Sequence, residues 1–399
     1  MDTTNNIGDP TQRPSLPPVV KKLGAVSFFN DLASEMVYPL LPALVTTKLG
    51  APALALGLLD GISDAVSAFV KFGAGWLADR PKLRGPLIIA GYGIAAVTRP
   101  AMGWAGAAWQ VIALRATDRA GKGVRNPPRD TVIADATDER LRGRAFGYHR
   151  AMDHAGAVLG PLVAWLMMTV GGMVPTHIFT WSIVPGLLAA AVAVFAMRAV
   201  TPAQKPTACR PPPSPASPET AVSARPSSIL LALIVVFAFS RLPETLFLLR
   251  LQDSGVAIAL IPITWAVLHA VRASGSYPGG WVSDRLGPRL TMIAGWGTYA
   301  SVCIGLATTG STFAAVLWFL GLGVATSLTE SPERAFVAAS TAGRRGTRFG
   351  LYHALVGLAA LPGGLVLGWI YSSSGGSTAL LASATLTGAL AIGAAILTN

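Results

Sequence analysis

The sequence is poor in charge, cysteine and histidine. Of its 399 residues only 13% are charged and five are histidine, and the two cysteines are Cys209 and Cys303. Soluble domains carry roughly a quarter charged residues, so this composition argues against an ordinary soluble fold. One cysteine lies in a proline-rich stretch and the other in an apolar run, which suggests neither a disulfide framework nor a metal site. We therefore expect no metal and no cofactor.

The motifs of several large enzyme classes are also missing. The GKG at residues 121–123 lacks the upstream glycine and the final hydroxyl residue of a G-x-x-x-x-G-K-[ST] nucleotide-binding loop. Neither H-E-x-x-H nor G-x-S-x-G occurs, which removes the common motifs of metallohydrolases and serine hydrolases. We expect a protein that is not an enzyme and does not itself hydrolyse ATP.

What the sequence does have is long apolar runs. Hydrophobic residues make up 52% of the chain, and the mean hydropathy is +0.53. Runs of about 20–25 apolar residues can cross a membrane as helices, which satisfy their own backbone hydrogen bonds in lipid. The sequence predicts an all-α polytopic membrane protein with twelve transmembrane helices, at 23–47, 53–78, 86–104, 107–126, 145–171, 175–197, 229–250, 255–281, 290–308, 311–331, 349–372 and 377–398.

The net charge of +12 follows the predicted topology. Most basic residues of the connecting segments fall on one side. This count includes the inner end of the fourth span, which is expected to fray from about Arg119. The opposite side holds little more than Lys48, Arg99 and Arg250. This positive-inside bias predicts an inner (plasma) membrane protein with both termini in the cytoplasm. The expected partners are therefore the lipid bilayer and a small-molecule substrate, with no nucleic acid.

The chain divides into two similar halves. Residues 201–228 contain eight prolines and no apolar run, which predicts a cytoplasmic linker. Three short stretches recur in the same order, GWLADR at 75–80 with GWVSDR at 280–285, NPPRDTVIA at 126–134 with ESPERAFVA at 330–338, and RGRAFG at 142–147 with RGTRFG at 345–350. We infer a duplication. The predicted parts are a disordered cytoplasmic tail (1–22), a six-helix bundle (23–200), the linker (201–228) and a pseudo-symmetric six-helix bundle (229–399).

The repeated loop carries a family resemblance. Residues 280–289, GWVSDRLGPR, fit the pattern G-x-x-x-D-R-x-G-x-R and resemble the signature loop of the major facilitator superfamily (MFS). The first copy, at 75–84, departs only at Lys82, where the second glycine is expected. The resemblance implies a cytoplasmic gate in which the first aspartate meets the start of the eleventh span and the second meets the start of the fifth. The alternative is that these are ordinary loop charges anchoring helix ends. The implied gate residues are Gly75, Asp79, Arg80, Gly280, Asp284 and Arg285.

Two further stretches resemble the same family. Residues 114–123, LRATDRAGKG, are similar to its arginine followed by spaced glycines. Residues 156–161, GAVLGP, resemble the Gly-x-x-x-Gly-Pro motif of its antiporters, although Ala164 and Trp165 replace the glycine pair that usually follows. The resemblance implies a bacterial transporter related to drug/proton antiporters.

Several charges fall inside the predicted spans. A charge at the bilayer centre costs at least about 2.5 kcal/mol, so it usually faces a cavity or an oppositely charged partner. Asp31 and Glu35 lie four residues apart on one helix face, as do Asp60 and Asp64. They could bind protons and substrate, or they could form fixed ion pairs with arginines of other helices. The residues predicted to line a proton-coupling or substrate cavity are Asp31, Glu35, Asp60, Asp64, Arg115, Arg150, Asp153, Arg241, Glu244, His269 and Arg272.

These features predict a monomeric secondary transporter that works by alternating access, coupled to protons and exporting a small amphipathic compound. One alternative is uptake or release of an organic anion such as a carboxylate metabolite or a siderophore. That alternative needs Arg241, Arg272 or Arg115 to be unpaired, because a guanidinium group binds carboxylates well. An alternative of another class is a membrane receptor that does not transport.

Overall fold

The structure is a computed structural model that describes residues 16–137, 141–198, 228–339 and 345–397. The described residues form helices and no strand. The fourteen α-helices are α1 (Pro18–Val37), α2 (Leu54–Ala78), α3 (Pro81–Met102), α4 (Ala108–Asp135), α5 (Arg142–Thr169), α6 (Pro175–Trp181), α7 (Ile183–Arg198), α8 (Ser228–Ser240), α9 (Glu244–Asp253), α10 (Ile261–Leu286), α11 (Pro288–Thr308), α12 (Thr312–Ala339), α13 (Arg345–Ser374) and α14 (Gly376–Leu397). Short turns extend two spans, Tyr38–Leu40 and Ala43–Lys48 after α1, and Ile258–Leu260 before α10.

The helices give the twelve predicted spans, because α6 and α7 together form the sixth and α8 and α9 the seventh. The all-α prediction is confirmed. Most of the predicted tail and nearly all of the predicted linker lie outside the described residues. Since the chain crosses the bundle twelve times, the first and the last described helix have their outer ends, near residues 18 and 397, on the same side. We call this the terminus side and the opposite one the far side.

The spans differ in how apolar they are. Among the described residues, the eight spans from the fifth onward are long and apolar enough to cross a membrane. Helices α1 to α4 contain 20, 25, 22 and 28 residues, so each reaches at least about 30 Å at 1.5 Å per residue. They are less apolar because charged residues interrupt them. Among the described residues, the buried charged side chains Arg99, Arg115, Asp118 and Arg125 all lie in these helices.

The fourth span is longer than predicted. The prediction that it frays from Arg119 was wrong, because α4 continues to Asp135 without a break. Its inner half packs closely on α3. A Cβ atom on Gly121 would lie 2.9 Å from the carbonyl oxygen of Gly91, and Arg125 donates a hydrogen bond to that oxygen at 3.1 Å. The glycine contact and this hydrogen bond hold α4 against α3 beyond Arg119.

The seventh span is interrupted, whereas the sequence predicts one helix over 229–250. Helix α8 ends at Ser240 and α9 begins at Glu244, after Pro243. Pro243 has no backbone N–H group to donate within a continuous helix. The N–H group of Leu242 instead donates to the Tyr299 hydroxyl group at 2.8 Å. The interruption leaves Arg241 between two half-helices near the middle of the bundle.

The two halves meet along two helix pairs, α2 with α13 and α5 with α10. The pairs are equivalent by the internal duplication, because each joins the second span of one half to the fifth span of the other. On the far side α2 and α13 are in close contact at glycines. A Cβ atom on Gly57 would overlap the carbonyl oxygen of Gly364, and one on Gly364 would lie 2.6 Å from the oxygen of Gly57. Small residues allow such close backbone approach in lipid.

The two copies of the signature loop turn differently. In the second copy Gly287 has a φ of 81°, a left-handed conformation that favours glycine, and α11 begins directly after it. In the first copy Lys82 stands at the equivalent position. There α3 begins earlier, at Pro81, so Lys82 is already helical. An earlier helix start removes the need for glycine in the first copy.

Candidate functional site

A cavity of about 470 Å³ lies between the two halves. It extends from the middle of the bundle toward the terminus side, from Asp60 to Lys71 along α2 and from Arg115 to Lys122 along α4. Its lining is unusually charged for a membrane interior. The acidic, basic and histidine side chains that line it are Glu35, Asp60, Asp64, Lys71, Arg115, Arg119, Lys122, Arg241, Glu244, His269, Arg272, Glu330 and Glu333.

Glu35 of α1 contacts the opposite half. Its Oε2 atom accepts a hydrogen bond from Trp265 Nε1 at 2.9 Å and lies 3.7 Å from His269 Nε2. Both partners belong to α10, and their rings pack edge to face with centroids 5.0 Å apart. The carboxylate is thus a polar link between the halves, inside a span that continues past the end of α1 at Val37 to Lys48.

Asp60 of α2 also contacts the opposite half. One carboxylate oxygen accepts hydrogen bonds from Thr245 N at 3.1 Å and from Thr245 Oγ1 at 2.8 Å. Thr245 lies in the first turn of α9, where backbone N–H groups have no partner within the helix. The Tyr38 hydroxyl group approaches the same carboxylate at 3.4 Å. Asp60 therefore caps a half-helix of the other bundle at the far-side end of the cavity.

The remaining cavity charges of the seventh and second spans differ in their pairing. Glu244 Oε1 accepts a hydrogen bond from Arg272 Nη2 at 2.6 Å, which makes an ion pair within the C-terminal half. Arg241 and Asp64 are both exposed to the cavity, and neither forms an ion pair within 4.0 Å with a described residue. They face the cavity from opposite halves.

A buried ionic cluster stands behind the cavity wall, around Asp118 of α4. One oxygen accepts from Arg99 Nε at 3.0 Å, and the other lies 3.3 Å from Arg115 Nη1 and 3.4 Å from Arg119 Nε. Arg99 also donates to the Asn30 carbonyl group of α1 at 2.8 Å. Asp118 and Arg99 are 1% and 2% exposed. Three guanidinium groups share one carboxylate, so the cluster tolerates no loss of that charge.

This cluster was not predicted from the sequence. Arg99 was expected in a far-side segment, but it is buried inside the bundle. Arg115, expected in the cavity, is paired with Asp118 while its guanidinium group lies 4.7 Å from the Tyr38 ring. The spacing of Arg115 and Asp118, three residues apart on one helix face, is the signal that could have indicated the pair.

Three of the predicted cavity residues do not line the cavity. Asp31 accepts a hydrogen bond from the side chain of its neighbour Asn30 at 2.8 Å. Asp153 lies 3.4 Å from His149, one turn earlier on α5. Arg150 is exposed. Helix α5 packs closely on α1 beside these residues, since a Cβ atom on Gly156 would overlap the Phe28 carbonyl oxygen.

The predicted gate is only partly described. Asp79 and Arg80 are exposed at the end of α2, and the Arg80 guanidinium group lies 4.6 Å from the Trp76 ring. No described atom lies within 4 Å of a Cβ atom placed on Gly75, so close helix packing at this glycine is not observed. Arg285 is exposed as well. Gly280 and Asp284 lie in α10, but their side-chain surroundings, like those at the starts of α5 and α13 which the latch would join, lie outside what the structure describes.

Another residue of the first loop copy is engaged. Arg84 Nη1 forms an ion pair with Asp135 at 2.6 Å, and Arg84 Nε donates to the Ala78 carbonyl group at 2.7 Å. This arginine therefore ties the ends of α2 and α4 together on the terminus side. In the described part of the chain, no group of three or more metal-ligating side chains occurs.

Comparisons with known proteins agree with this architecture. Residues 23–328 and 258–398 match the Major Facilitator Superfamily. An uncharacterised MFS-type transporter of Methanocaldococcus jannaschii is 29% identical over 375 residues, which cover 90% of each chain. The multidrug resistance protein MdtH of Yersinia pestis is 30% identical over 133 residues, 33% of each chain.

A solved structure extends the comparison to the fold. The nucleoside transporter NupG superposes with a TM-score of 0.71 at 16% sequence identity, over 96% of this chain and 100% of that one. At this identity the likeness concerns the fold alone. The superfamily match extends over nearly the whole chain, and the relatives and the structural neighbour are transporters. The chain therefore belongs to the Major Facilitator Superfamily, and it is a multi-pass membrane transporter and not an enzyme.

Proposed function

We propose that this transporter exports a small amphipathic molecule in exchange for protons, and that Glu35 carries the proton. The observation behind the proposal is the contact of the Glu35 carboxylate with Trp265 and His269 of the other half. A carboxylate in the middle of a span is costly unless it has partners or a function. Here both partners belong to the C-terminal half, which has to move relative to α1 during alternating access.

Protonation of Glu35 would change the attraction between the halves. The ionised carboxylate accepts the Trp265 hydrogen bond and lies 3.7 Å from His269 Nε2, which favours the conformation described here. A proton on Glu35 removes the charge and weakens both contacts, which favours separation of α1 from α10. Proton binding then shifts the equilibrium between two conformations, as alternating access requires.

Export is the direction that the relatives support. The N-terminal motif GAVLGP is similar to that of the family's antiporters, and the partly matching MdtH is by its name a multidrug resistance protein. The cavity, at about 470 Å³, is in the size range of sites that hold small molecules. It lies between the halves of one chain, so we propose that a monomer is sufficient for transport.

Everted membrane vesicles with an acidic interior and an internal pH dye test the coupling. When compound pools are screened, we expect the addition of a substrate to raise the internal pH and to drive accumulation of that substrate. Glu35→Gln should abolish both effects. Asp31→Asn is the matched control, because it removes a carboxylate of the same helix that does not line the cavity, and it should retain most of the flux.

Three outcomes would contradict the proposal. Loss of coupled flux in Asp31→Asn but not in Glu35→Gln would move the proton site to the α1–α5 contact. Full gradient-driven transport by both variants would exclude the acids of the first span from coupling. Accumulation that needs an alkaline interior would reverse the proposed direction.

A second candidate function is transport of an organic anion, and Arg241 is the observation that favours it. Of the three arginines considered for this function, Arg115 and Arg272 are paired with Asp118 and Glu244. Arg241 faces the cavity from the helix interruption. The same vesicle screen separates the two candidates, because pools of carboxylates should then give the flux and Arg241→Gln should remove it.

We also propose that the terminus side faces the cytoplasm of a cell with an inner (plasma) membrane. Support comes from the basic residues of the terminus-side segments, among them Arg80, Lys82 and Arg84, since positive residues are retained in the cytoplasm. A green fluorescent protein fused to the C-terminus should therefore fluoresce. An active alkaline phosphatase fused at the same place, which requires export, would contradict this orientation.

A further inference from the structure

We propose that Asp64 and Arg241 form a two-point binding site for a zwitterionic substrate, one that carries an ammonium group and a carboxylate. The inference rests on the proposed function in one respect, namely that the cavity between the halves is the transport site. It goes further in naming the charge pattern of the substrate. It is carried by the positions and the partners of the charged cavity residues.

Most of the cavity charges are already engaged. Glu35 and Asp60 accept hydrogen bonds from the opposite half, and Glu244 is paired with Arg272. Arg115 and Arg119 both lie against Asp118. Three more charged lining residues interact with neighbours, and these are Lys71, Glu330 and Glu333. Asp64, Arg241 and Lys122 remain without an ion pair to a described residue.

Asp64 and Arg241 are held in place although neither forms an ion pair within 4.0 Å with a described residue. Asp64 lies one helical turn from Asp60, whose hydrogen bonds to Thr245 fix that part of α2 against α9. Arg241 lies at the interruption between α8 and α9, next to Leu242, whose N–H group donates to Tyr299. The backbone at each residue is thus anchored while the side chain is exposed to the cavity. Such a pair is pre-organised for a ligand that bridges it.

The two side chains belong to different halves. A ligand with both charges can place its ammonium group on Asp64 and its carboxylate on the Arg241 guanidinium group, which can accept it through two parallel hydrogen bonds. It then links the halves and stabilises one conformation, which gives the differential affinity that a conformational change needs. A ligand with one charge leaves the other side chain without a partner, so it should bind with lower affinity.

Lys122 is the competing cation for the carboxylate. It lies on α4 one turn beyond Arg119, on the same half as Asp64. A ligand held by Asp64 and Lys122 would contact only the N-terminal half and would not couple the halves. The proposal therefore assigns the carboxylate to Arg241, and a Lys122→Gln variant tests that choice.

Matched probes test the charge pattern on the purified full chain. The ω-amino acids from 3-aminopropanoate to 8-aminooctanoate span a range of charge separations, and 6-aminohexanoate has single-charge counterparts in hexylamine and hexanoate. Binding is measured by calorimetry in lipid nanodiscs. At the best-fitting length we expect the zwitterion to bind at least about tenfold more tightly than either single-charge counterpart of equal chain length.

Variants then assign each charge. Asp64→Asn should weaken zwitterion binding at least about tenfold and leave the weak binding of the alkanoate unchanged. Arg241→Gln should also weaken zwitterion binding at least about tenfold, but it should leave the weak binding of the alkylamine unchanged. The exchanged pair, Asp64→Arg with Arg241→Asp, should recover part of the affinity, since the ligand can bind in the reverse orientation. Arg150→Gln, which alters an exposed arginine outside the cavity, and Lys122→Gln should bind as the wild type does.

Several results would overturn the proposal. One is that the zwitterion and the alkanoate bind equally well. Another is that zwitterion binding is lost in Lys122→Gln but not in Arg241→Gln. A third is that no member of the series binds. Proton coupling is tested separately by Glu35→Gln, which should bind the zwitterion but move no protons in vesicles. Zwitterion binding without any proton movement by the wild type would disprove the coupling and leave the two-point site standing.

Discussion

Asp118→Asn should destabilise the folded protein more than any other single charge substitution in the bundle. The change removes the carboxylate that Arg99, Arg115 and Arg119 share, and it leaves three guanidinium groups close together with no anion between them. Removing one partner of a buried ionic contact costs about 3–5 kcal/mol, because the remaining charge stays buried without compensation. The expected result is a large loss of monodisperse protein on gel filtration after a graded heat step in detergent.

Asp135→Asn is the matched control for this prediction. It removes a carboxylate of the same helix that pairs with Arg84 at 2.6 Å, but Asp135 is 61% exposed. An exposed ion pair contributes about 1 kcal/mol or less, so the heat profile should be close to that of the wild type. Equal profiles for Asp118→Asn and Asp135→Asn would show that the buried cluster is not needed for stability.

The number and placement of the helices could be predicted from the sequence because lipid allows few alternatives. A span has to be about 20 residues long and helical, so hydropathy alone located the ends of most spans within a few residues. The fourth and tenth spans were the exceptions, since α4 ends at Asp135 and α12 at Ala339, beyond the predicted 126 and 331. The fourth span shows a physical reason. Its inner half is polar, and it packs on α3 through the contact of Gly121 with Gly91 and the hydrogen bond from Arg125, which no local pattern of hydropathy reveals.

The site was harder to predict because partners far apart in sequence decide the role of each charge. Glu35, Asp60 and Glu244 were identified as candidates from their positions in apolar runs, and all three line the cavity. The neighbouring sequence does not distinguish Glu35 from Asp31, which is four residues away and does not line the cavity. The difference arises from Trp265, 230 positions later in the chain. Pairings of this kind follow only from the packing of α1 against α10.

Gly57→Val should hold the two halves apart on the far side. A Cβ atom at this position overlaps the Gly364 carbonyl oxygen, which is backbone and cannot turn away, and it comes within 3.3 Å of the Gly368 Cα atom. Helices α2 and α13 must therefore separate. Ordinary helix pairs have axes 8–10 Å apart depending on the side chains between them, so a shift of about 2 Å at the contact is expected. The folded halves should otherwise persist, because the contact lies between them.

Spin labels on the far-side ends of these helices measure the shift. Pro52 and Ser373 are exposed near the beginning of α2 and the end of α13, and each can be replaced by cysteine after Cys209 and Cys303 have been changed to serine. In Gly57→Val we expect the distribution of distances between the labels to move to longer values. Transport by the same variant should fall at least about tenfold, since a far side that cannot close prevents one of the two states.

Gly93→Val provides the control, and Gly364→Val provides the reciprocal test. No described atom lies within 4 Å of a Cβ atom on Gly93 of α3, so this variant introduces the same residue into a helix without separating the halves. It should keep both the label distances and the transport rate. Gly364→Val should reproduce the effects of Gly57→Val from the other half, because its Cβ atom meets the Gly57 carbonyl oxygen. Unchanged distances in both contact variants would mean that this glycine pair is not what closes the far side.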